Sequence, residues 1–425
     1  MAKTTVENEH LEATQPREAS GVTRTTCVVV GGGPGGAVLA LLLARKGVDV
    51  TLLEAHPDFD REFRGDTLHP SVMEIMDQLG LADRLLKLRH SKLSSFTLQT
   101  AKGPFTPADL SRLHTKFPYI TIMPQKNFLE FITEEAKQYP SFRLVMGARV
   151  RELIEENGVV RGVYYENEDG RHEVRAALTV GADGRGSRTR KLAGIELRKT
   201  SPPMDVLWFK VPREKGDPEG LVGRFGRGHI TVMLDRDDYW QAGYVIPKGT
   251  FPELRREGVE ELRRQFGELA PEFADRLGHL TDWRQVSLLS VESSRCEKWH
   301  KPGLLLIGDA AHVMSPVAGV GINYAIQDAV EAANILNGPL RESQERLVDV
   351  DERRLAAVQR RRELPTRVIQ AAQAQIQRNV LAPALNSTEP FSPPLALRLL
   401  TRIPILRNLP GRLIGFGLRP ARVKN

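Results

Sequence analysis

Three clusters of glycine and acidic residues carry most of the chemical information in this 425-residue chain. The first is Gly31-Gly32-Gly33-Pro34-Gly35-Gly36, with the spacing G-x-G-x-x-G. It follows Cys27-Val28-Val29-Val30, an apolar run that reads as a buried strand, and precedes Ala37 to Arg45, almost all strong helix formers. In that strand–turn–helix setting Gly31 permits the tight turn, Gly33 lets backbone approach a pyrophosphate, and Gly36 lets helix and strand pack closely. Pro34 and Gly35 complete the turn as cofactor-contacting positions. The helix N-terminus adds free N–H groups and a positive dipole end for phosphates. Val48 to Leu53 makes a second strand ending on Glu54, placed where a carboxylate accepts hydrogen bonds from an adenosine ribose. The stretch predicts a site for an ADP-containing dinucleotide.

The second cluster is Ala182-Asp183-Gly184-x-x-Ser187-x-x-Arg190, in which Arg185, Arg188 and Arg190 are candidates to meet phosphates. The third is Gly308-Asp309-Ala310-Ala311-His312, continuing to Pro316, Gly319, Gly321 and Asn323. Asp309 ends an apolar strand, so its carboxylate is fixed at the sheet edge where ligands of open α/β folds bind. His69, in Thr67-Leu68-His69-Pro70, is a weak candidate for a catalytic base; a histidine before a helix more often serves structure. Trp208, Met233, Trp240 and Tyr244 are candidates to line a substrate pocket, and equally to be sheet core. The ten histidines show no metal-ligand spacing.

The elements that must position these residues follow from pattern. Ser71 to Gly80 reads as a helix capped by Ser71 with Glu74 in a capping box, and Gln125 opens a second helix over 126–138. Val159–Glu166 and Glu173–Val180 form a hairpin around Asn167-Glu168-Asp169-Gly170. From Pro202 to Val291 the pattern changes to an antiparallel sheet with one charged cover helix near 258–273. Ala310 to Asn323 reads as a loop, followed by helix from Tyr324 to Leu336 and further Arg- and Gln-rich helix over 341–379. The expected organisation is a tail (1–24), a Rossmann-like α/β domain (25–94, 125–200 and 292–340), a β-sheet substrate domain (95–124 and 201–291) and C-terminal helices (341–425).

Composition narrows the class. Hydrophobic residues at 41% and charged residues at 27% are ordinary for a globular protein, and no apolar run approaches the roughly 20 residues of a membrane helix. Met1 to Arg24 lacks the apolar core of a secretory signal, and two cysteines fit a reducing cytoplasm, with Cys27 as strand core and Cys296 as a surface or packing residue. A net charge of +7 lies partly in the C-terminal tail and does not point to nucleic acid. From Phe391 onward the tail is basic and proline-broken; its apolar residues fit short helices packed on the fold, or a peripheral contact with anionic lipid.

Taken in order, the three motifs resemble those of the single-component FAD-dependent monooxygenases, the p-hydroxybenzoate hydroxylase-like flavoproteins, over roughly Thr25 to Arg362. The resemblance implies that Asp309 holds the ribityl chain of FAD, that Pro316, Gly319, Gly321, Ile322 and Asn323 lie near the flavin ring, and that Asp183 touches the pyrophosphate region. It also implies that Arg64 and Gln125 reach FAD and that Val150 follows a backbone contact to adenine. The helix at Asn323 would direct its positive end toward the flavin and stabilise negative charge there.

The activity implied is NAD(P)H-driven hydroxylation or epoxidation of an aromatic or lipophilic small molecule with O2, through a flavin C4a-hydroperoxide. NADH and NADPH both remain open as co-substrate. A flavin-dependent reductase or dehydrogenase of isoprenoid or quinone-like substrates shares much of the fold and is the alternative. Halogenation is disfavoured because Ala242-Gly243-Tyr244-Val245-Ile246-Pro247 lacks both tryptophans of the halogenase box. A flavin-binding protein without turnover is disfavoured because none of the flavin motifs is broken.

Overall fold

The computed structural model describes residues 21–60, 66–100, 103–217, 220–226, 228–236, 238–346, 348–387, 389, 391–394, 403 and 407–424. The chain starts with β1 (Val22–Val30), α1 (Pro34–Ala44) and β2 (Val50–Leu53). Next come β3 (Thr67–Leu68), α2 (Pro70–Gln78), α3 (Ala82–Leu85), β4 (Ser91–Leu93), β5 (Ser95–Thr100), β6 (Gly103–Asp109), β7 (Ile120–Ile122) and α4 (Gln125–Lys137). They lead to β8 (Phe142–Val145), β9 (Arg149–Glu156), β10 (Val159–Asn167), β11 (Gly170–Gly181), α5 (Arg188–Leu192) and β12 (Leu197–Thr200). A second block contains β13 (Met204–Pro212), β14 (Leu221–Phe225), β15 (Ile230–Asp235), β16 (Tyr239–Pro247), α6 (Phe251–Glu257), α7 (Val259–Leu269) and β17 (Ser287–Leu289). The chain then returns through β18 (Ser293–Cys296), β19 (His300–Lys301), β20 (Leu304–Leu306) and β21 (His312–Val313). It ends in α8 (Gly321–Arg346), α9 (Glu352–Ile376), α10 (Ala382–Leu385) and α11 (Asn408–Phe416).

The first sheet orders its strands β19-β20-β11-β1-β2-β8, with β20, β11, β1, β2 and β8 mutually parallel and β9–β10 attached as an antiparallel extension of β11. Its central strands are continuous apolar runs because both faces are covered, as parallel strands require. α1 is buried along its whole length from Gly35 to Ala44, packed against α4 and α8. The C-terminal ends of β1, β2, β11 and β20 therefore lie along one edge, which carries the Gly31 turn, Glu54, Asp183 and Asp309.

The second sheet has the order β17-β13-β16-β15-β14-β5-β6. All of its pairs are antiparallel except β14–β5, a parallel pair within the expected antiparallel sheet. Strand alternation divides its side chains. Leu207, Phe209, Met233, Trp240, Ala242 and Tyr244 pack under Leu254 of α6, Leu262 and Phe266 of α7, and Phe273 in the following 3-10 segment. On the opposite face Val206, Trp208, Phe225, Ile230 and Val245 look toward Val317, Val380, Leu381 and Leu385. Two smaller sheets, β3-β7-β4 and β12-β18-β21, join these layers.

Several boundaries differ from expectation for local reasons. Residues 22–24, expected in the N-terminal tail, are strand, paired with Glu173 to Arg175 of β11. α2 begins at Pro70 rather than after Ser71, because proline is pre-set for the first helical position. Glu74 accepts from the Thr115 hydroxyl at 2.8 Å instead of closing a capping box. The one charged cover helix is two helices, broken at Gly258, followed by a 3-10 segment. Within the expected loop 310–323 lie β21 and the start of α8, at Gly321 rather than Tyr324. Cys296 is fully buried. No described helix is long and apolar enough to cross a membrane.

Candidate active site

At the C-terminal edge of the parallel sheet the glycines divide by function. Gly31 sits at φ +106°, and a Cβ there would stand 2.6 Å from the Ala182 carbonyl oxygen. A Cβ on Gly36 would meet the Gly31 carbonyl oxygen at 2.0 Å, and one on Gly35 the Ala325 carbonyl oxygen at 3.1 Å. These positions pack backbone on backbone, whereas a Cβ on Gly33 would find no heavy atom within 4 Å. Gly33 is the N-cap of α1 and Pro34 its first residue, so the open space lies before the helix N-terminus. Glu54, almost fully buried, accepts the Gly32 N–H at 2.8 Å and the His56 N–H at 2.9 Å, which locks its carboxylate beside the turn. Its carbonyl accepts the Ala148 N–H at 2.7 Å, bringing the start of β9 and buried Val150 alongside.

Asp309 occupies a 3-10 turn directly after β20, with its side chain about one-third exposed (32%) and Arg185 Nε 3.4 Å from one carboxylate oxygen. The turn is fixed from beneath by Asp328 of α8, which is inaccessible to solvent. Asp328 accepts from the Gly308 N–H at 3.0 Å, from His312 Nε2 at 2.6 Å and from Arg362 Nε of α9 at 2.7 Å. Burial pushes the Asp328 carboxyl up, but His312 and Arg362 outweigh this and hold it below the usual carboxylate range.

Beyond β21 the chain is suspended from α9 by glutamines. Gln370 Nε2 donates to the carbonyls of Ser294 (2.9 Å) and Val313 (3.0 Å), and Gln373 Nε2 to those of Ser315 (2.9 Å) and Val317 (2.8 Å). Gln377, where α9 widens into a π-helical turn, donates to the Ser315 hydroxyl at 2.6 Å. Between these supports Pro316 to Gly319, and then Gly321 and Ile322, are half-buried in an otherwise buried stretch. Ala318 has φ +64°, a left-handed conformation that costs a non-glycine residue about 1–2 kcal/mol. Gly319 has φ +62°, and a Cβ there would stand 2.7 Å from the Thr67 hydroxyl oxygen. The Asn323 side chain is fully engaged in this frame: Nδ2 donates to Thr67 O and Gly319 O, and Oδ1 accepts the His69 N–H at 2.7 Å.

Other expected site residues have structural duties. The Asp183 carboxylate accepts from the Ser187 hydroxyl (2.5 Å) and from the N–H and hydroxyl of Thr189 (2.9 and 3.0 Å), so it ties down the start of α5. Its backbone, not its carboxylate, packs on the Gly31 turn. Arg190 is buried and donates to the carbonyls of Ala310 and Arg185; Arg188 is exposed, and two of its nitrogens reach the Arg151 carbonyl at 3.4 Å. Of the three arginines, Arg185 alone faces Asp309. Gln125, first residue of α4, donates its N–H to Asp66 at 3.1 Å, and Arg64 lies outside the described residues.

His69 is fully buried at the N-cap of α2. Nδ1 lies 2.8 Å from the Ile414 carbonyl of α11, an acceptor, so Nδ1 carries a proton. Burial lowers its pKa to about 4, and the Ile414 hydrogen bond offsets this only partly. The residue is a three-way tie among α2, α8 and α11. Among the pocket candidates, Met233, Trp240 and Tyr244 belong to the helix-covered face, while half-buried Trp208 looks the other way, its ring across Gly243.

An α/β nucleotide fold with an open glycine turn, a locked acidic residue at the second strand and a carboxylate at the end of β20 defines a dinucleotide-binding protein that fits FAD. The chain belongs to the FAD binding domain family, which matches residues 24–365. It is an FAD-dependent monooxygenase of the p-hydroxybenzoate hydroxylase-like fold, with NAD(P)H as co-substrate. It is 33% identical over 412 residues to 6-methylpretetramide 4-monooxygenase of Streptomyces rimosus, covering 96% of each chain. It is 25% identical to pentachlorophenol 4-monooxygenase of Sphingobium chlorophenolicum over 75% of this chain and 59% of that one. Among solved structures, the anhydrotetracycline hydroxylase from Streptomyces rimosus superposes with a TM-score of 0.73 at 24% identity, covering 92% of this chain and 76% of the other. The fold likeness extends to p-nitrophenol 4-monooxygenase from Pseudomonas putida, with a TM-score of 0.64 at 22% identity over 87% of this chain and 99% of that one.

Two expectations follow. Gln373→Leu removes a buried donor from two carbonyls of the 313–319 segment, and weakens FAD binding about tenfold, a typical cost of one unsatisfied buried pair. Titration of apo-protein by quenching of flavin fluorescence measures this, with exposed Gln375→Leu unchanged. For His69, whose pKa falls from 6.5 to about 4 on folding, protonation favours the unfolded chain. Its contribution to stability is complete above 6.5 and is lost as pH falls toward 4, by about 3 kcal/mol. Asp66 titrates in the opposite sense over the same range, because burial raises it to about 6. The measurement is therefore the stability difference between wild type and His69→Asn in urea, which should narrow by that amount between pH 7 and 4.

Proposed function

We propose that this enzyme hydroxylates an electron-rich polycyclic aromatic compound of the phenolic polyketide type. The observation that carries the reading is the 33% identity, over 96% of both chains, to a relative named for a 6-methylpretetramide substrate. The inner face of the second sheet supports it. Half-buried Trp208 offers an apolar surface in the same cluster as Val317, while Phe225 is stacked on Phe391 and Val206, Ile230 and Val245 are buried core.

In this reading Gly31, Gly33, Pro34, Gly35 and Gly36 hold the pyrophosphate, Glu54 the adenosine ribose and the backbone before Val150 the adenine. Asp309 holds the ribityl chain, with Arg185 as its countercharge, and Pro316, Gly319, Gly321 and Ile322 border the ring. Bound FAD, once reduced, activates O2 for transfer of one oxygen atom. The net reaction consumes the ring C–H compound, NAD(P)H, a proton and O2, and yields the hydroxylated ring, NAD(P)+ and water. The chain's own part is to orient the ring and to keep water out. The N-terminal N–H groups of α8 stabilise negative charge at the loop. His69, neutral and enclosed by α11, serves the frame and moves no proton.

The C-terminal segment serves packing. Ala421 is buried, its N–H donates to Gln327 at 3.2 Å, and Val423 N–H donates to Gln78 at 2.8 Å. Ile403, Leu409 and Leu418 are its exposed large apolar side chains among the described residues. The Leu395–Leu400 stretch lies outside the described residues.

The deciding assay supplies the FAD-loaded protein with NADH or NADPH, 18O2 and a panel of naphthols, anthrones and tetracyclic polyketides. One ring compound should accelerate NAD(P)H consumption and gain a single 18O atom. Anaerobic reduction of the flavin by the organic compound itself, with no label gained, would establish a dehydrogenase instead.

A further inference from the structure

The C-terminal helix α11 stands where three parts of the fold meet. Its buried residues are Gly411 and Gly415, four apart and so on one face. A Cβ on Gly411 would stand 2.7 Å from the Asp109 carbonyl oxygen at the end of β6, and one on Gly415 would stand 3.3 Å from Pro70 of α2. Close backbone approach thus seats α11 on β6 and α2, with no help from the 313–319 segment. Two neighbouring side chains then reach in different directions. Ile414 packs with Leu110 and with Ile120 and Ile122 of β7. Leu413 packs against Met314, Val320, Tyr324 and Ile369, the cluster on which Ala318 also rests. A polar route runs alongside: the Ile414 carbonyl faces His69 Nδ1 at 2.8 Å, the His69 N–H donates to Asn323 Oδ1, and Asn323 Nδ2 donates to the Gly319 carbonyl at 3.2 Å.

Ala318 sits at φ +64°, a conformation that a non-glycine residue keeps only where its surroundings impose it. The carbonyls on either side are held by Gln373, Thr67 and Asn323, and the side chain packs on the cluster that Leu413 joins. We propose that Leu413 is a positioning residue for FAD: it completes the apolar cluster that keeps Ala318 left-handed, and so holds the 316–319 segment in the shape that binds the cofactor. The inference rests on the assignment of Pro316 and Gly319 to the border of the flavin, and adds to it a residue from the C-terminal end of the chain. Without the Leu413 side chain, Ala318 relaxes to a negative φ and the segment leaves its binding shape. The apparent affinity for FAD then falls in proportion to the population that remains competent. Glycine carries no steric penalty at this φ, so Ala318→Gly removes the reason to relax.

The test titrates the full-length apo-protein with FAD by flavin fluorescence, beside urea unfolding of the same variants. Leu413→Ala should weaken FAD binding about tenfold, the population equivalent of one left-handed residue's strain. Adding Ala318→Gly to that variant should bring the affinity back to within about twofold of wild type, whereas packing lost elsewhere would not be repaired by a glycine at 318. Leu413→Met, of similar volume, and Leu409→Ala, at an exposed position of α11, should both stay within about twofold. Leu413→Val, a smaller truncation, should fall between wild type and Leu413→Ala, and carries the same test where the alanine variant does not fold. Unchanged FAD affinity in folded Leu413→Ala would overturn the proposal. So would a loss that Ala318→Gly leaves uncorrected, which would assign Leu413 to stability alone. Hydrogen exchange of the 314–324 segment in the apo-protein should quicken about tenfold in Leu413→Ala and slow again in the double variant. That readout needs no cofactor. A wild type that takes up no FAD would therefore sink the flavin-border assignment, while exchange still decides whether Leu413 holds the loop.

Discussion

One buried carboxylate determines where the sheet edge presents Asp309. Asp328 has no contact with solvent, and an unpaired charge there would be strongly destabilising. It is satisfied from three directions, by the Gly308 N–H, by His312 of β21 and by Arg362 of α9. Each partner belongs to a different part of the chain, so the folded arrangement of β20, β21, α8 and α9 is coupled to the neutralisation of a single group. Arg362 extends the coupling to the C-terminus, lying 3.4 Å from the Arg419 carbonyl and over the Tyr324 ring. Removing one partner would cost about 3–5 kcal/mol, a large fraction of any protein's net stability.

The region around this carboxylate is built in two tiers. Beneath, charged groups fix the turn that bears Asp309. Above, neutral groups carry the strained 313–319 segment, where a left-handed alanine persists between the Val317 carbonyl, held by Gln373, and the Gly319 carbonyl, held by Thr67 and Asn323. Amides satisfy backbone carbonyls without adding charge to this segment. The same segment places Val317 against the apolar face of the second sheet.

Much of this was legible in the residues. The glycine turn and Glu54 were readable because their conformational demands are local: a positive φ at Gly31 and a Cβ clash at Gly36 can be met only by glycine. Asp309 was readable from its place after an apolar strand. Facing within the second sheet was not, since Trp208 and Tyr244 look alike in sequence and only the position of the cover helices separates them. His69 kept its structural reading, but its partner in α11, 345 positions away, left no trace in the local pattern. Asp183 was assigned toward phosphate, and its carboxylate instead secures α5, a competition between ligand and capping that motif spacing does not resolve. The glutamines did leave a signal: Gln370, Gln373 and Gln377 stand three and four apart, on one helix face, within a stretch read as Arg- and Gln-rich helix. Arg236 left none, because its pairing depends on Asp66, 170 positions away.

The central claim, that the edge formed by Gly31, Glu54 and Asp309 is the FAD site, is tested most directly by titrating apo-protein with FAD and following the flavin absorption. One FAD per chain with a protein-perturbed spectrum is expected, and a dissociation constant at least about tenfold weaker for Asp309→Ala, since a charge-assisted contact is removed. A folded wild type that takes up no FAD, or an Asp309→Ala protein that binds it as well as wild type, would contradict the account.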